Sequence, residues 1–211
     1  MALDKNEKQI TEEQLREKIY LPVGYPLRFE CSEDVREIQG NNYVFRPKYY
    51  LIERYSDTGL LTVKLSLREV EMWTHIFTWQ DEDIREEHHT ELLRFLEGVG
   101  IPELLGALKL KNVLIEANSH SHLLEQMLHL KPSRQGMGWI KGNKGGRLVG
   151  RAFIHCSLVE EDIWDWSDEQ NSINDIFLAC SKKNKKALHL FENDFTLAVL
   201  NLIKHGYLIL R

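Results

Sequence analysis

The chain of 211 residues is short of cysteine and proline and has no long apolar run, and each shortage removes a class of protein. Its three cysteines, Cys31, Cys156 and Cys180, are far apart and lack any CxxC spacing, which argues against a disulfide framework and a cysteine zinc site. No stretch approaches the roughly 18 consecutive apolar residues of a membrane span, and the first twenty residues lack the apolar core of a signal peptide. The expectation is a cytoplasmic protein with no membrane span. Nucleotide signatures are also missing: Gly145-Gly146-Arg147 has neither the spacing nor the GK[ST] ending of a phosphate loop, and nothing matches GxGxxG.

Catalytic signatures are equally scarce. There is no GxSxG elbow. His155 and Cys156 are neighbours, but adjacent strand residues point to opposite faces, so the imidazole is badly placed to activate the thiol. The carboxylate pairs Asp81/Asp83 and Asp162/Asp165 fall in acidic runs that solvation explains without chemistry. Nine histidines invite a metal search. Glu86 and His89 form a single Glu-x-x-His where a di-iron bundle needs two, and His88 lies on an apolar stripe. His120 and His122 make a close pair, and His122, Glu125 and His129 share a helix face opposite the leucines, where solvent is the simpler partner. No catalytic residue, metal or cofactor is therefore assigned.

What remains is ordinary globular composition, 43% hydrophobic and 28% charged, which is enough to form a packed core. The length fits a single α+β domain over 1–211, or two tightly joined halves with a boundary near 131–136. Thr11 to Gln14 is a capping box, with Ile10 placed to staple onto Leu15, and predicts a short helix. Pro22, Gly24 and Pro26 predict an extended edge segment, and Ser32-Glu33-Asp34 the start of a helical turn. Tyr49 to Tyr55, the turn residues Ser56 to Gly59 and the alternation of Leu61, Val63 and Leu65 predict an antiparallel hairpin, the first of two at about 43–67 and 137–154. Ser66 with Glu69 predicts a helix start, and a further helix is expected over 82–97. Pro102 opens another helix, 113–115 is ambiguous, and Ser119 caps a helix that ends before Pro132. Ser167 with Gln170 reads as a capping box in a helical C-terminal part that closes with a long helix over 191–203 and a short strand over 207–210.

Two segments stand out by charge. Between Lys131 and Arg151 lie six basic residues, Lys131, Arg134, Lys141, Lys144, Arg147 and Arg151, with no acidic one and six of the thirteen glycines. In a chain of net charge -5 this is a candidate anion site, because glycine lets backbone amides and Lys/Arg charge approach phosphate closely, the alternative being a glycine-rich turn with solvated lysines. Two helices followed by a basic hairpin suggest a winged-helix-like binder of nucleic acid, although the helix after Ser119 contains no Lys or Arg with which to grip it. The second segment, 160–175, carries seven acidic groups around Trp164 and Trp166, the composition of a protein-contact surface, with Asp162 and Asp165 beside the tryptophans. The run Lys182, Lys183, Lys185, Lys186 follows and reads as a solvated turn.

The leading expectation is a non-enzymatic, protein-binding adaptor or chaperone-like subunit of a larger assembly. A nucleic-acid-binding protein acting through 131–151 is the first alternative, and an enzyme of unrecognised type the second.

Overall fold

The computed structural model describes residues 18–39, 42–56, 58–76, 100–135, 138–142, 145–149 and 153–211. The helices expected from Thr11 and over 82–97, and the residues His88 and His89, lie outside the described residues.

The fold is α+β, as the hairpin and helix signals predict. Strands β1 (Ile19–Pro22) and β5 (Leu114–Ala117) pair antiparallel, and β2 (Tyr25–Gln39), β3 (Asn42–Ser56) and β4 (Gly59–Leu65) form a meander in the order β2-β3-β4. A second meander runs β7 (Gly138–Gly142), β8 (Gly145–Val149) and β9 (Phe153–His155), while β6 (Pro132–Arg134) pairs with β10 (Leu208–Leu210). The helices are α1 (Leu67–His75), α2 (Ile101–Leu110), α3 (His120–Met127), α4 (Leu158–Trp166), α5 (Ile173–Asn184) and α6 (Leu188–Lys204). No helix among the described residues is long and apolar enough to cross a membrane.

The β1–β5 ribbon lies between two apolar clusters, and strand alternation explains why. Tyr20 and Leu114 belong to the cluster of Ile52, Leu65, Met72, Leu105 and Leu108. Leu21 and Ala117, an odd number of residues along each strand, belong to the larger cluster of Leu123, Met127, Ile163, Phe177, Phe191 and Phe195. A short strand with successive residues on opposite faces can serve both cores at once. Trp73 fastens α1 to this ribbon, its indole N–H donating to the Val113 carbonyl at 2.9 Å. Gly24 follows directly: its amide donates to the Leu210 carbonyl at 2.7 Å, and a Cβ built there would stand 2.3 Å from Ile52 Cγ2, so only glycine lets the strands approach so closely.

Several local expectations are revised. Ser32 to Asp34 lies inside β2, in the bulge between Cys31 and Arg36 where the register with β3 shifts, and not at the start of a helical turn. The capping boxes of the C-terminal half are Ser157 with Glu160 and Ser172 with Asp175, not Ser167 with Gln170. Ser167 closes α4 instead, its hydroxyl donating to the Ile163 carbonyl at 2.6 Å. The ambiguous stretch resolves as β5, which separates α2 from α3, so these helices do not form the helix-turn-helix of a winged helix.

At Ser66 the predicted cap forms. Glu69 accepts from the Ser66 amide at 2.7 Å and from Lys111 Nζ at 2.6 Å. Burial alone would raise its carboxyl, but the Lys111 bond and the Ser66 donors outweigh it and hold the group below the usual carboxylate range. The ionised form therefore stabilises the fold above that range, and its contribution is lost as pH falls through the folded value. Glu69→Gln is expected to cost about 1 kcal/mol at pH 7. Urea denaturation at a series of pH values should show wild type and variant converging in acid; a gap that widens in acid would contradict the assignment.

Candidate functional site

A cleft of about 920 Å³ opens where the end of β3 meets the start of β5, the C-terminal part of α3 and the last residue of β10's strand path, Arg211. Arg54, Lys131, Arg211 and His129 line it, together with the exposed carboxylate of Glu125. Because the cleft lies at a strand end, it takes in both faces of β3: Glu53 and Tyr55 on one, Arg54 with Ile52 on the other.

Arg54 is half-buried, and its hydrogen bond is from Nη1 to the Tyr55 carbonyl at 3.2 Å. Its Nε–H is buried with no acceptor, and no carboxylate pairs with it among the described residues. A guanidinium drawn partly out of water without a counter-charge is costly, and a buried unsatisfied donor costs about 1–3 kcal/mol. Arg211 is better compensated. Its side chain is 13% exposed, stacks 4.6 Å over the Tyr25 ring, and places Nη1 3.4 Å from both Glu53 and Glu169. Those contacts are long for charge-assisted bonds, and its Nε–H too lacks an acceptor.

Lys131 is fixed through its backbone, which exchanges two 3.1 Å hydrogen bonds with Arg211. Its Nζ stands 5.4 Å over the Tyr55 ring. Tyr55 thus tethers both loose cations, Arg54 at its carbonyl and Lys131 at its ring. Close by, the Ser172 hydroxyl and amide hold the Asp175 carboxyl below the usual range, with Lys131 adding to the effect.

The structure disperses the other basic candidates. Arg134 lies 5.4 Å over the Trp164 ring, away from Lys131. In the β7–β8 ribbon Lys141 pairs with Gly146 and Arg147 with Ile140. Lys144 and Arg151 lie outside the described residues.

The acidic segment is mostly spent on local structure. Glu160 and Asp175 cap helices, and Asp168 accepts from the Gln170 and Asn171 amides. Asp162 is buried and pairs with Lys183. Trp164 is core, its indole donating to the Gln135 carbonyl at 3.1 Å, while Trp166 is half-buried beneath Lys183 and Asp165 is exposed. Asp162 and Trp164 are thus not presented at the surface, as a contact patch would require. The metal triplet also dissolves: His122 Nε2 meets Gln126 at 2.8 Å and Nδ1 accepts from the Asn118 amide at 3.4 Å. Among the described residues no group of three His, Cys, Asp or Glu is placed to hold a metal.

Arg54 and Arg211 escaped sequence reasoning. The usable signal for Arg54 was its parity, a charged residue two positions from Ile52 on the face that β3 buries.

No family model matches the chain, and no curated protein matches it. Among solved structures, that of PKMT2 from Rickettsia typhi in complex with AdoHcy aligns over 96% of this chain and 44% of that one, at 14% identity and a TM-score of 0.32. The chain thus spans less than half the length of that protein. At this similarity no activity is transferred to the chain. The expectation of a non-enzymatic adaptor or chaperone-like subunit is corrected on the residues it rested on: Asp162 and Trp164, two of the four chosen to dock a partner, are buried.

The strain at Arg54 is testable without a ligand. In phosphate-free buffer, Arg54→Met should leave stability unchanged or raise it by about 1 kcal/mol, while Arg211→Met lowers it, because only Arg211 has carboxylates to abandon. Urea unfolding of both variants checks this; equal destabilisation would contradict it.

Proposed function

We propose that the protein binds an anionic ligand in the cleft lined by Arg54, Lys131 and Arg211. The observation that carries this reading is the half-buried Arg54 guanidinium, which has a buried Nε–H without an acceptor and no carboxylate among the described residues. Cations desolvated without a protein counter-ion recur where a ligand supplies the charge. The volume of about 920 Å³ is in the range of small-molecule sites. A cytoplasmic setting accords with the buried thiols Cys156 and Cys180, the latter pushed by burial up to about 12 and so unreactive.

The second reading, nucleic acid held by the basic hairpin, draws on the Gly142↔Gly145 pair, a backbone bare of side chains next to Lys144.

Thermal unfolding at constant ionic strength separates the two. Replacing chloride by inorganic phosphate should raise the midpoint in wild type by about 2–4 °C per kcal/mol of binding linkage. Arg54→Gln should abolish the rise, and Lys144→Glu with Arg147→Glu should preserve it. The opposite pattern, with the hairpin variant losing the rise and Arg54→Gln keeping it, would move the site to the hairpin and sink the cleft reading.

A further inference from the structure

We infer that the ligand of the cleft is a small phosphomonoester, a single dianionic phosphate on an uncharged organic body; this rests on the cleft being the anion site. Charge count is the first argument. Of the three cations lining the cleft, Arg211 already has Glu53 and Glu169, which leaves Arg54 and Lys131 with no carboxylate ion pair among the described residues. Two cations with no direct carboxylate contact, Lys131 feeling the Asp175 carboxylate only at longer range, match one phosphate monoester, which carries about -1.5 to -2 at neutral pH with three acceptor oxygens. A carboxylate brings one charge and would leave one of them unmatched.

The second argument is donor geometry. Arg54 and Lys131 are held at two different points of Tyr55, one by its carbonyl and one over its ring. A planar carboxylate is satisfied by one guanidinium fork, whereas a tetrahedral phosphate directs oxygens to donors that approach from different sides. Asn112 adds an exposed amide in the turn before β5, held in the left-handed conformation at φ 52 that asparagine tolerates.

Size and surroundings set the body. The cleft far exceeds an inorganic ion, and Val23, Leu114 and Leu130 supply buried apolar wall. A chain of phosphates is disfavoured, because beyond the two loose cations a second phosphate would meet Glu125, or the Glu53 and Glu169 carboxylates around Arg211. The reading therefore favours a free phosphomonoester over the backbone of a nucleic acid.

Calorimetric titration of the full chain tests this with phenyl phosphate, ribose 5-phosphate and adenosine 5′-monophosphate, against benzoate, succinate and a 5′-phosphorylated oligonucleotide. The expected result is that at least one phosphomonoester binds about tenfold or more tightly than either carboxylate. That binding should weaken about tenfold in Arg54→Gln and in Lys131→Met, with partial recovery in Arg54→Lys. Circular dichroism identifies a variant that has not folded, and the other then carries the test. Carboxylates binding as tightly as phosphomonoesters would overturn the phosphate inference and leave the anion cleft standing. An oligonucleotide that binds far more tightly than adenosine 5′-monophosphate, with a steep salt dependence, would overturn the small-ligand class. If nothing in the panel binds, both this inference and the anion cleft fall.

Discussion

The constraint on which the rest of the structure depends is the two-sided burial of the β1–β5 ribbon. Four residue pairs, Ile19↔Ala117 to Pro22↔Leu114, carry side chains for two cores, so neither cluster closes without it. The backbone leaving β1 is then committed as well: Val23 donates to the Val113 carbonyl at 2.9 Å and Gly24 to that of Leu210 at 2.7 Å. Burying strand faces on both sides requires nearly all backbone groups to be paired, and these bonds pair them. They also bring Arg211, the end of β3 and the turn before β5 to one place, which is how the cleft arises.

The cleft owes its chemistry to that convergence. Arg54 is carried into a half-buried position by β3, whose register with β4 runs unbroken from Tyr50↔Leu65 to Ser56↔Gly59. A one-residue slip would exchange its faces, removing Ile52 from the core as it freed Arg54, so the apolar residue holds the cation in place. Lys131 is likewise held by its backbone bonds to Arg211 rather than by its own charge. The site is built from fixed backbone and loosely paired side chains, the combination a ligand can complete at little ordering cost.

Local signals were the legible part of the sequence. The Ser66 cap, the β3–β4 alternation, the glycine-flanked β7–β8 ribbon and the long C-terminal helix follow from residues a few positions apart. Where two local signals competed, context decided: Ser167 lost the N-cap role to Ser172, whose Asp175 accepts from its amide at 2.9 Å. Lys131 stood out within a basic segment, but Arg54 and Arg211, which join it in the site, are far apart in the chain and ordinary one by one, so their convergence was not legible. Charge density along the sequence drew attention to 131–151 and 160–175, but helix capping consumes much of the second. Trp164 looked like a surface anchor because composition cannot tell which side of α4 joins Phe177 and Phe195 in the core.

The central claim is that Arg54 is a cation waiting for an anion. Two-dimensional ¹H–¹⁵N spectra of the arginine side chains, recorded during titration with phenyl phosphate, test it most directly. The Arg54 Nε–H resonance, identified by its absence in Arg54→Lys, should move saturably while arginines outside the cleft stay fixed. A saturable shift elsewhere with Arg54 unmoved, or no shift at any concentration, would contradict the account.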